Sequence, residues 1–171
     1  MATTSISSED AAANPIFNRA IFLLSLIGVL VAGLLWYWHA NPIDIPCGGT
    51  HSCRDVAQSK YATFPIGSDY PVAMYGFFGY LGIIGMAFLR TLPNIPKTDK
   101  SLLGLILLAS SLGTLVALQL TFVEAFVLHE WCRWCVASQI IILAIALISG
   151  FELWQRRSTS SLISPTETVS H

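Results

Sequence analysis

Two cysteines separated by two residues, Cys132 and Cys135, are the part of this sequence best suited to chemistry. Cysteines at this spacing close a tight disulfide, and the spacing lowers thiol pKa values, which favours the nucleophilic thiolate. The pair precedes a long apolar run, Val136 to Leu153. If the run is a helix, its N-terminal N–H groups and dipole favour a thiolate further. If it also spans a membrane, aqueous thiols and a lipid-soluble electron carrier can both reach the pair, which indicates redox chemistry.

A second pair, Cys47 and Cys53, has a wider spacing and lies in a polar stretch. Thiol–disulfide exchange passes an oxidising equivalent between two such pairs, so we expect the loop pair to connect an external protein with Cys132 and Cys135. A quinone, either menaquinone or ubiquinone, is the expected electron acceptor. Cys135 would lie one helical turn deeper than Cys132. We therefore expect Cys135 to meet the quinone and Cys132 to exchange with the loop.

Two other uses of the four cysteines stay open at this point. Together with His51 and His129 they are candidate ligands for zinc or copper, although Cys-x5-Cys is a poor half of a zinc site. Alternatively, each pair forms a structural disulfide, but a Cys-x-x-Cys disulfide at a helix start is more typical of catalysis. A metal-binding membrane protein is therefore the alternative to a redox enzyme.

The composition is that of a membrane protein. Of 171 residues, 54% are hydrophobic and 11% are charged, whereas an ordinary soluble domain has about 25% charged residues. The formal net charge of −1 gives no electrostatic basis for binding nucleic acid. Four apolar runs are long enough to cross a hydrocarbon core about 30 Å thick, and they comprise residues 20–38, 71–89, 102–122 and 132–153.

These runs predict an all-α integral membrane protein, a bundle of four transmembrane helices formed by residues 16–155. Between the first two spans, residues 39–70 are predicted to be a long outer loop, and a loop of this length is usually functional. A short interfacial helix is predicted within it, at Val56 to Phe64. Residues 1–15 are predicted to be a disordered N-terminal tail and residues 156–171 a C-terminal tail.

Basic residues orient the bundle, since cytoplasmic loops of membrane proteins are enriched in Lys and Arg. One side carries Arg19, Arg90, Lys97, Lys100, Arg156 and Arg157, and the other carries Arg54, Lys60 and Arg133. We therefore predict a multi-pass protein of the inner (plasma) membrane with both termini in the cytoplasm. All four cysteines then lie on the outer, oxidising face, where disulfides persist.

Two further sets of residues have more than one interpretation. In the second span, glycine recurs at every third position from Gly76 to Gly85. Close helix packing is the favoured explanation, and a groove for a ligand is the alternative. Glu124, His129 and Glu130 mark the turn before the fourth span, where interfacial anchoring is favoured over a role in proton relay.

The four spans, the cysteine pair in the first outer loop and the Cys-x-x-Cys at the start of the fourth span resemble the vitamin K epoxide reductase family, in particular its bacterial members. Ser59 lies six residues after Cys53, where the family has a serine. Residues 71–76 resemble the family's opening of the second span, and residues 126–128 resemble the stretch before its active pair. The resemblance covers roughly residues 16–155.

The resemblance implies a four-helix bundle around a quinone, with the active pair beside the quinone ring. It assigns Cys132 and Cys135 as the active pair, Cys135 as the thiolate that contacts the quinone, and Cys47 and Cys53 as the shuttle. It also implies that Ser59 is a polar group near the quinone. In bacterial members, a thioredoxin-like partner oxidises secreted proteins and is reoxidised by the membrane enzyme.

Two positions depart from the vertebrate members of that family. Val72 stands where they have an asparagine and Gln139 where they have a tyrosine, and both vertebrate side chains hydrogen-bond the vitamin. The departures argue against vitamin K epoxide reduction, but Gln139 still offers an amide donor one turn beyond Cys135. The alternative for Gln139 is a polar contact between helices.

The predicted function is that of a thiol–quinone oxidoreductase that reoxidises a thioredoxin-like partner and so drives disulfide formation outside the cytoplasm. Many bacterial members of the family carry a fused thioredoxin-like domain. Only 18 residues follow Leu153, so we expect the partner to be a separate protein. DsbB-type oxidases also have four spans and use quinone, but they place Cys-x-x-Cys in the first outer loop, and the order here is the reverse.

Overall fold

The computed structural model describes residues 15–41, 56, 59–92, 99–129 and 131–163. The long helices are α1, Pro15–Ala40; α2, Val72–Leu89; α3, Asp99–Val123; and α4, Arg133–Ile163. A π-helical turn, Glu124–Leu128, continues α3, and a short 3-10 helix, Lys60–Ala62, precedes α2. Within the described ranges the chain forms no β-strand, only an isolated bridge between Thr63 and Pro71.

All four long helices are long and apolar enough to cross a membrane. The prediction of an all-α integral membrane protein with four transmembrane helices is therefore confirmed, and the chain is a multi-pass membrane protein. The helices extend beyond the predicted runs: α1 begins at Pro15, the third span covers Asp99–Leu128, and α4 continues to Ile163. Hydrophobic runs mark the part of a helix that lies in lipid, whereas polar residues with good helix propensity lengthen it at either end.

The predicted loop and tails are only partly described. Of the short helix predicted at Val56 to Phe64, Val56 is helical and Lys60–Ala62 forms the 3-10 helix. Of the predicted tails, Pro15 belongs to α1 and residues 156–163 belong to α4. Residues 1–14 and 164–171 lie outside the described residues, so the rest of both tails stays a prediction.

The bundle core contains side chains from all four helices. It consists of Ile21, Ala32, Tyr80, Ile83, Ala87, Ile106, Ile142 and Ile145. Many equally apolar residues are exposed, for example Leu30, Leu115, Leu118, Ile140 and Leu147. In a bilayer such residues can contact lipid instead of being buried against other helices, because hydrocarbon tails are as apolar as leucine.

Gly28 of α1 allows α2 to approach closely. A Cβ atom at Gly28 would clash with the ring of Tyr80 on α2, and the Tyr80 hydroxyl donates a hydrogen bond to the Ser138 carbonyl oxygen of α4 at 2.9 Å. In the glycine row of α2, a Cβ at Gly76 would lie 3.8 Å from the Ala32 Cβ, whereas the later three glycines have no described atom within 4 Å of that position. Packing therefore accounts for only the first glycine of the row.

A network of buried charges joins the four helices at the end opposite the cysteines. Arg90, which follows α2, binds Asp99 of α3 and Glu152 of α4, each at 2.6 Å. Arg156 binds the same two carboxylates at 2.6 Å, and Nη1 of Arg90 donates to Oδ1 of Asn18 on α1 at 3.2 Å. Burial alone would lower the pKa of Arg90, but the hydrogen bonds and charges of Asp99 and Glu152 outweigh it and raise that pKa above its ordinary value.

Replacing Arg90 with alanine should destabilise the protein strongly, because two buried carboxylates would lose a partner. Removing one member of a buried ion pair costs about 3–5 kcal/mol, and the midpoint of thermal unfolding in detergent should fall accordingly. Arg157→Ala is the matched control, since Arg157 is exposed on α4 and exposed substitutions change the free energy of unfolding by about 0.5 kcal/mol or less. Equal unfolding midpoints for the two variants would contradict the role of the network.

Candidate active site

Cys132 and Cys135 lie at the start of α4 with their sulfur atoms in direct contact. The carbonyl oxygen of Cys132 accepts the N–H of Val136 at 3.0 Å, so Cys132 occupies the position just before the helix. Its sulfur accepts the backbone N–H of Cys135 at 3.3 Å and the Cys135 thiol at 2.7 Å. A disulfide bond is about 2.05 Å long. The two thiols, which are not bonded here, therefore need only a small approach to be oxidised.

The two sulfur atoms of the pair have different hydrogen-bonding environments. The hydrogen bond from the Cys135 thiol lowers the pKa of Cys132, and it outweighs burial, which acts in the opposite direction. The backbone N–H of Cys135 adds to this effect. Cys132 is therefore the sulfur of the pair that ionises more readily than an ordinary cysteine, and the Cys135 thiol donates to it.

Burial of the pair differs from the expectation that Cys132 lies nearer the surface. Cys132 has no exposed surface, and Val56 is among the side chains that pack around it. Cys135 is half-buried and lines the central cavity. Val56 precedes the second span in the sequence, and a hydrophobic run cannot predict that contact. Cys47 and Cys53 lie outside the described residues.

The cavity has a volume of about 370 Å³ and lies among all four helices and the segment that connects α1 with α2. Sites for small molecules typically have volumes of about 300–1,000 Å³. The structure places the three side chains predicted to contact a quinone, Ser59, Val72 and Gln139, on the wall of this cavity, together with Cys135. The apolar wall suits a lipid-soluble ring, so the residues present fit a quinone as substrate.

Ser59 and Gln139 differ in the hydrogen bonds they leave for a ligand. The Ser59 hydroxyl already donates to the Val56 carbonyl oxygen at 2.9 Å, which is the behaviour of a loop serine. Oε1 of Gln139 accepts the Thr121 hydroxyl at 2.6 Å, so the amide also makes the contact between helices that was its alternative role. Nε2 of Gln139 is buried and has no hydrogen-bond partner among the described residues. Gln139 is thus the donor that the site leaves open.

Glu124 is a member of the site that the sequence analysis placed at the membrane interface. It is 2% exposed, lies in the π-helical turn and lines the cavity. Its carboxyl contacts the backbone N–H of Cys132 and the thiol of Cys135. An ionisable residue inside a membrane span indicates a functional site, but the predicted third span ended at residue 122 and left Glu124 outside it. Interfacial anchoring is therefore wrong for Glu124.

Other candidates fall into two groups. Gly76 and Gly79 line the cavity. The alternative interpretation of the α2 glycines, a groove for a ligand, therefore applies to these two. His129 has a left-handed backbone conformation with φ 55° and is exposed, as is Arg133 between the two cysteines. Glu130 lies outside the described residues. Neither His129 nor Arg133 lines the cavity.

The described residues contain no group of three or more His, Cys, Asp or Glu side chains arranged to hold a metal ion. His51 lies outside that part of the chain, as do the two loop cysteines, so the four-cysteine metal site stays a prediction. The described part of the site is therefore a thiol pair, a carboxyl and an apolar cavity.

A Cys-x-x-Cys pair beside an apolar cavity, within a bundle of membrane-spanning helices, is typical of a class of membrane redox protein. The sequence model of the vitamin K epoxide reductase family matches residues 19–149, and the chain belongs to that family. Among curated proteins, none matches the sequence. Membership supports a membrane oxidoreductase that acts on thiols and quinone-type substrates.

The contacts of the pair predict how Cys132 ionises. With its pKa lowered, the Cys132 thiolate should appear at lower pH than that of an ordinary cysteine. Cys135→Ala removes the thiol donor, so the pKa of Cys132 should rise, whereas Cys135→Ser keeps an O–H donor and should retain more of the lowering. Thiolate absorbance against pH, in protein with Cys47 and Cys53 replaced by alanine, measures the difference. Identical titrations of the Ala and Ser variants would contradict this assignment.

Proposed function

We propose that the protein is a thiol–quinone oxidoreductase that reoxidises a thioredoxin-like partner and so drives disulfide formation outside the cytoplasm. One observation carries the proposal: Cys135, in contact with Cys132 at 2.7 Å, borders an apolar cavity of about 370 Å³ among four membrane spans. A lipid-soluble acceptor in that cavity would lie beside the sulfur that must lose electrons to it.

The acceptor is a quinone, either menaquinone or ubiquinone. Its ring suits an apolar cavity, and its carbonyl oxygens need hydrogen-bond donors once they leave water. Nε2 of Gln139 is the unpartnered donor on the cavity wall, while Val72 supplies apolar contact. The Ser59 hydroxyl can serve as a donor only by giving up its bond to the Val56 carbonyl.

Electrons reach the site from the loop cysteines. Val56 packs on Cys132, and Cys53 precedes Val56 by three residues, a stretch that spans about 11 Å at most. A reduced partner protein reduces the Cys47–Cys53 disulfide, and a loop thiolate then attacks Cys132 in the disulfide of the active pair. Resolution of that mixed disulfide leaves Cys132 and Cys135 reduced and the loop pair oxidised.

The second half of the cycle returns the active pair to a disulfide. The two sulfur atoms lose two electrons and form one S–S bond, and quinone gains two electrons and two protons to become quinol. We place the site at the outer face of the inner (plasma) membrane, with both termini in the cytoplasm, because persistent disulfide formation needs an oxidising compartment. The thioredoxin-like partner is then a separate protein on that face.

The cysteines should divide into two functional classes. Replacing Cys132 or Cys135 with alanine should abolish quinone reduction with any thiol donor, because each contributes a sulfur to the disulfide. Replacing Cys47 or Cys53 should block electron transfer from a reduced thioredoxin-like protein but spare oxidation of a small dithiol. The measurement is quinone reduction by purified protein in detergent, with menaquinone and ubiquinone analogues and each donor in turn.

Two outcomes would contradict this assignment. Equal loss in all four variants with both donors would refute the division of labour. Absence of quinone reduction by well-folded wild type, together with one equivalent of zinc or copper after purification under reducing conditions, would favour the metal-binding alternative.

Gln139 should affect binding of quinone rather than the chemistry of the thiols. Gln139→Leu removes the open donor, and a hydrogen bond contributes about 0.5–1.5 kcal/mol net, so KM for quinone should rise about 2- to 12-fold. Thr121→Val is the companion variant, because it removes the bond that orients Gln139 and should raise KM less. Unchanged KM in Gln139→Leu would show that this amide does not contact quinone.

A further inference from the structure

A buried carboxyl contacts the cysteine pair, and no basic side chain among the described residues is its partner. Glu124 is 2% exposed, and the groups that contact its carboxyl are the Cys132 backbone N–H and the Cys135 thiol. Its second oxygen, Oε2, is buried and has no hydrogen-bond partner among the described residues. The other buried glutamate of the described chain, Glu152, is also 2% exposed but binds two arginines. A carboxyl that stability alone required would be expected to have such a partner.

The backbone around Glu124 is built to bring it to the cysteines. A π-helical turn ends α3, and the N–H of His129 bonds the Glu124 carbonyl oxygen, with His129 itself in a left-handed conformation. This arrangement reverses the chain within a few residues, so that Cys132 follows closely and its N–H meets the Glu124 side chain. Isolated π-helical turns occur frequently at functional sites.

We propose that Glu124 is a catalytic residue that accepts the proton of the Cys135 thiol and passes it to the reduced quinone. This inference rests on the proposed thiol–quinone reaction and names the proton route that the reaction needs. Cys135 donates its hydrogen to Cys132 in the reduced protein, and it must lose that proton before both sulfur atoms can form a disulfide. Glu124 is the carboxyl that touches Cys135 and borders the cavity.

The protons and electrons balance as follows. The Cys132 proton leaves for solvent when its thiolate forms, and one solvent proton later reaches the quinol. The S–H bond of Cys135 breaks, an O–H bond forms on Glu124, and this proton then moves to the other quinol oxygen. The two electrons that quinone gains come from the two sulfur atoms as they bond to each other. Glu124 ends the cycle in its starting state.

Other titratable groups also line the cavity and bear on any pH dependence. They are His39 of α1, Tyr61 of the 3-10 helix, and Tyr75 and Tyr80 of α2. The hydroxyls of Tyr80 and Tyr75 already donate to the backbone oxygens of Ser138 and Phe64. The groups that contact the Cys135 thiol include Glu124 and Cys132.

The first test measures quinone reduction by prereduced protein in a single turnover. Glu124→Gln keeps the shape and the oxygen that accepts the Cys132 N–H, but it cannot carry the proton. The rate at neutral pH should fall about 100-fold, as is typical when a general acid–base group is lost, and recover as rising pH ionises Cys135 directly. Glu124→Asp should restore part of the rate. Arg157→Ala, an exposed position of α4 outside the ion network, should turn over like wild type.

The second test needs no quinone. In protein whose other three cysteines are alanine, alkylation of Cys135 by iodoacetamide should begin at lower pH in Glu124→Gln, because removing a negative charge beside the sulfur favours its thiolate. Arg157→Ala should leave the pH profile unchanged. The two tests thus predict opposite effects of one substitution, slower quinone reduction and easier thiolate formation, which a loss of folding would not produce.

The outcomes separate this inference from the proposed function. If Glu124→Gln reduces quinone at the wild-type rate, or leaves the alkylation profile of Cys135 unchanged, Glu124 has no role in proton transfer. If wild type itself fails to reduce quinone, the proposed function is refuted and this proton route with it. A shifted alkylation profile together with slower quinone reduction supports the route.

Discussion

The buried ion network at one end of the bundle is the constraint on which the remaining structure depends. Buried arginine and carboxylate groups compensate each other for lost hydration only while they stay in contact. Arg90 therefore fixes the axial positions of the helices that carry Asp99 and Glu152. α4 is a continuous helix from Arg133 to Ile163, and Cys135 stands about 26 Å from Glu152 along it at 1.5 Å per residue. Because a helix is rigid along its axis, the ion network that fixes one end of α4 also fixes the axial position of the cysteines at its other end.

The two ends of the bundle satisfy their polar groups in different ways. In the ion network, each carboxylate bonds two guanidinium groups, and only Oε2 of Glu152 is left over. At the cysteine end, the contacts of the Glu124 carboxyl with described groups are a backbone N–H and a thiol, and the amide nitrogen of Gln139 has no partner in that part of the chain. The first arrangement pairs opposite charges. The second arrangement leaves polar groups facing the cavity, where they are available to a reaction that transfers protons.

The sequence predicted features that depend on local pattern and not those that depend on distant contacts. Four apolar runs of sufficient length, and a Cys-x-x-Cys before the last, follow directly from residue types, and the helices confirm the runs. Glu124 was misjudged because a hydrophobic run ends before the helix does, and the π-helical turn carries that residue inward. Arg90 and Glu152 are 62 residues apart, so no periodicity could pair them. The cover of Cys132 by Val56 and the approach at Gly28 likewise depend on tertiary packing.

The ion network also determines where a transmembrane voltage can act on this protein. Two arginines and two carboxylates have no net charge, so a voltage does no net work on that end of the bundle. Moving one elementary charge through a full drop of 100 mV corresponds to about 2.3 kcal/mol. Among the buried groups described, a change of charge during the reaction arises at Cys132, Cys135 and Glu124. The voltage therefore affects the reaction through the fraction of the membrane field that separates those three residues, and the quinone that takes up the protons, from the nearer aqueous phase.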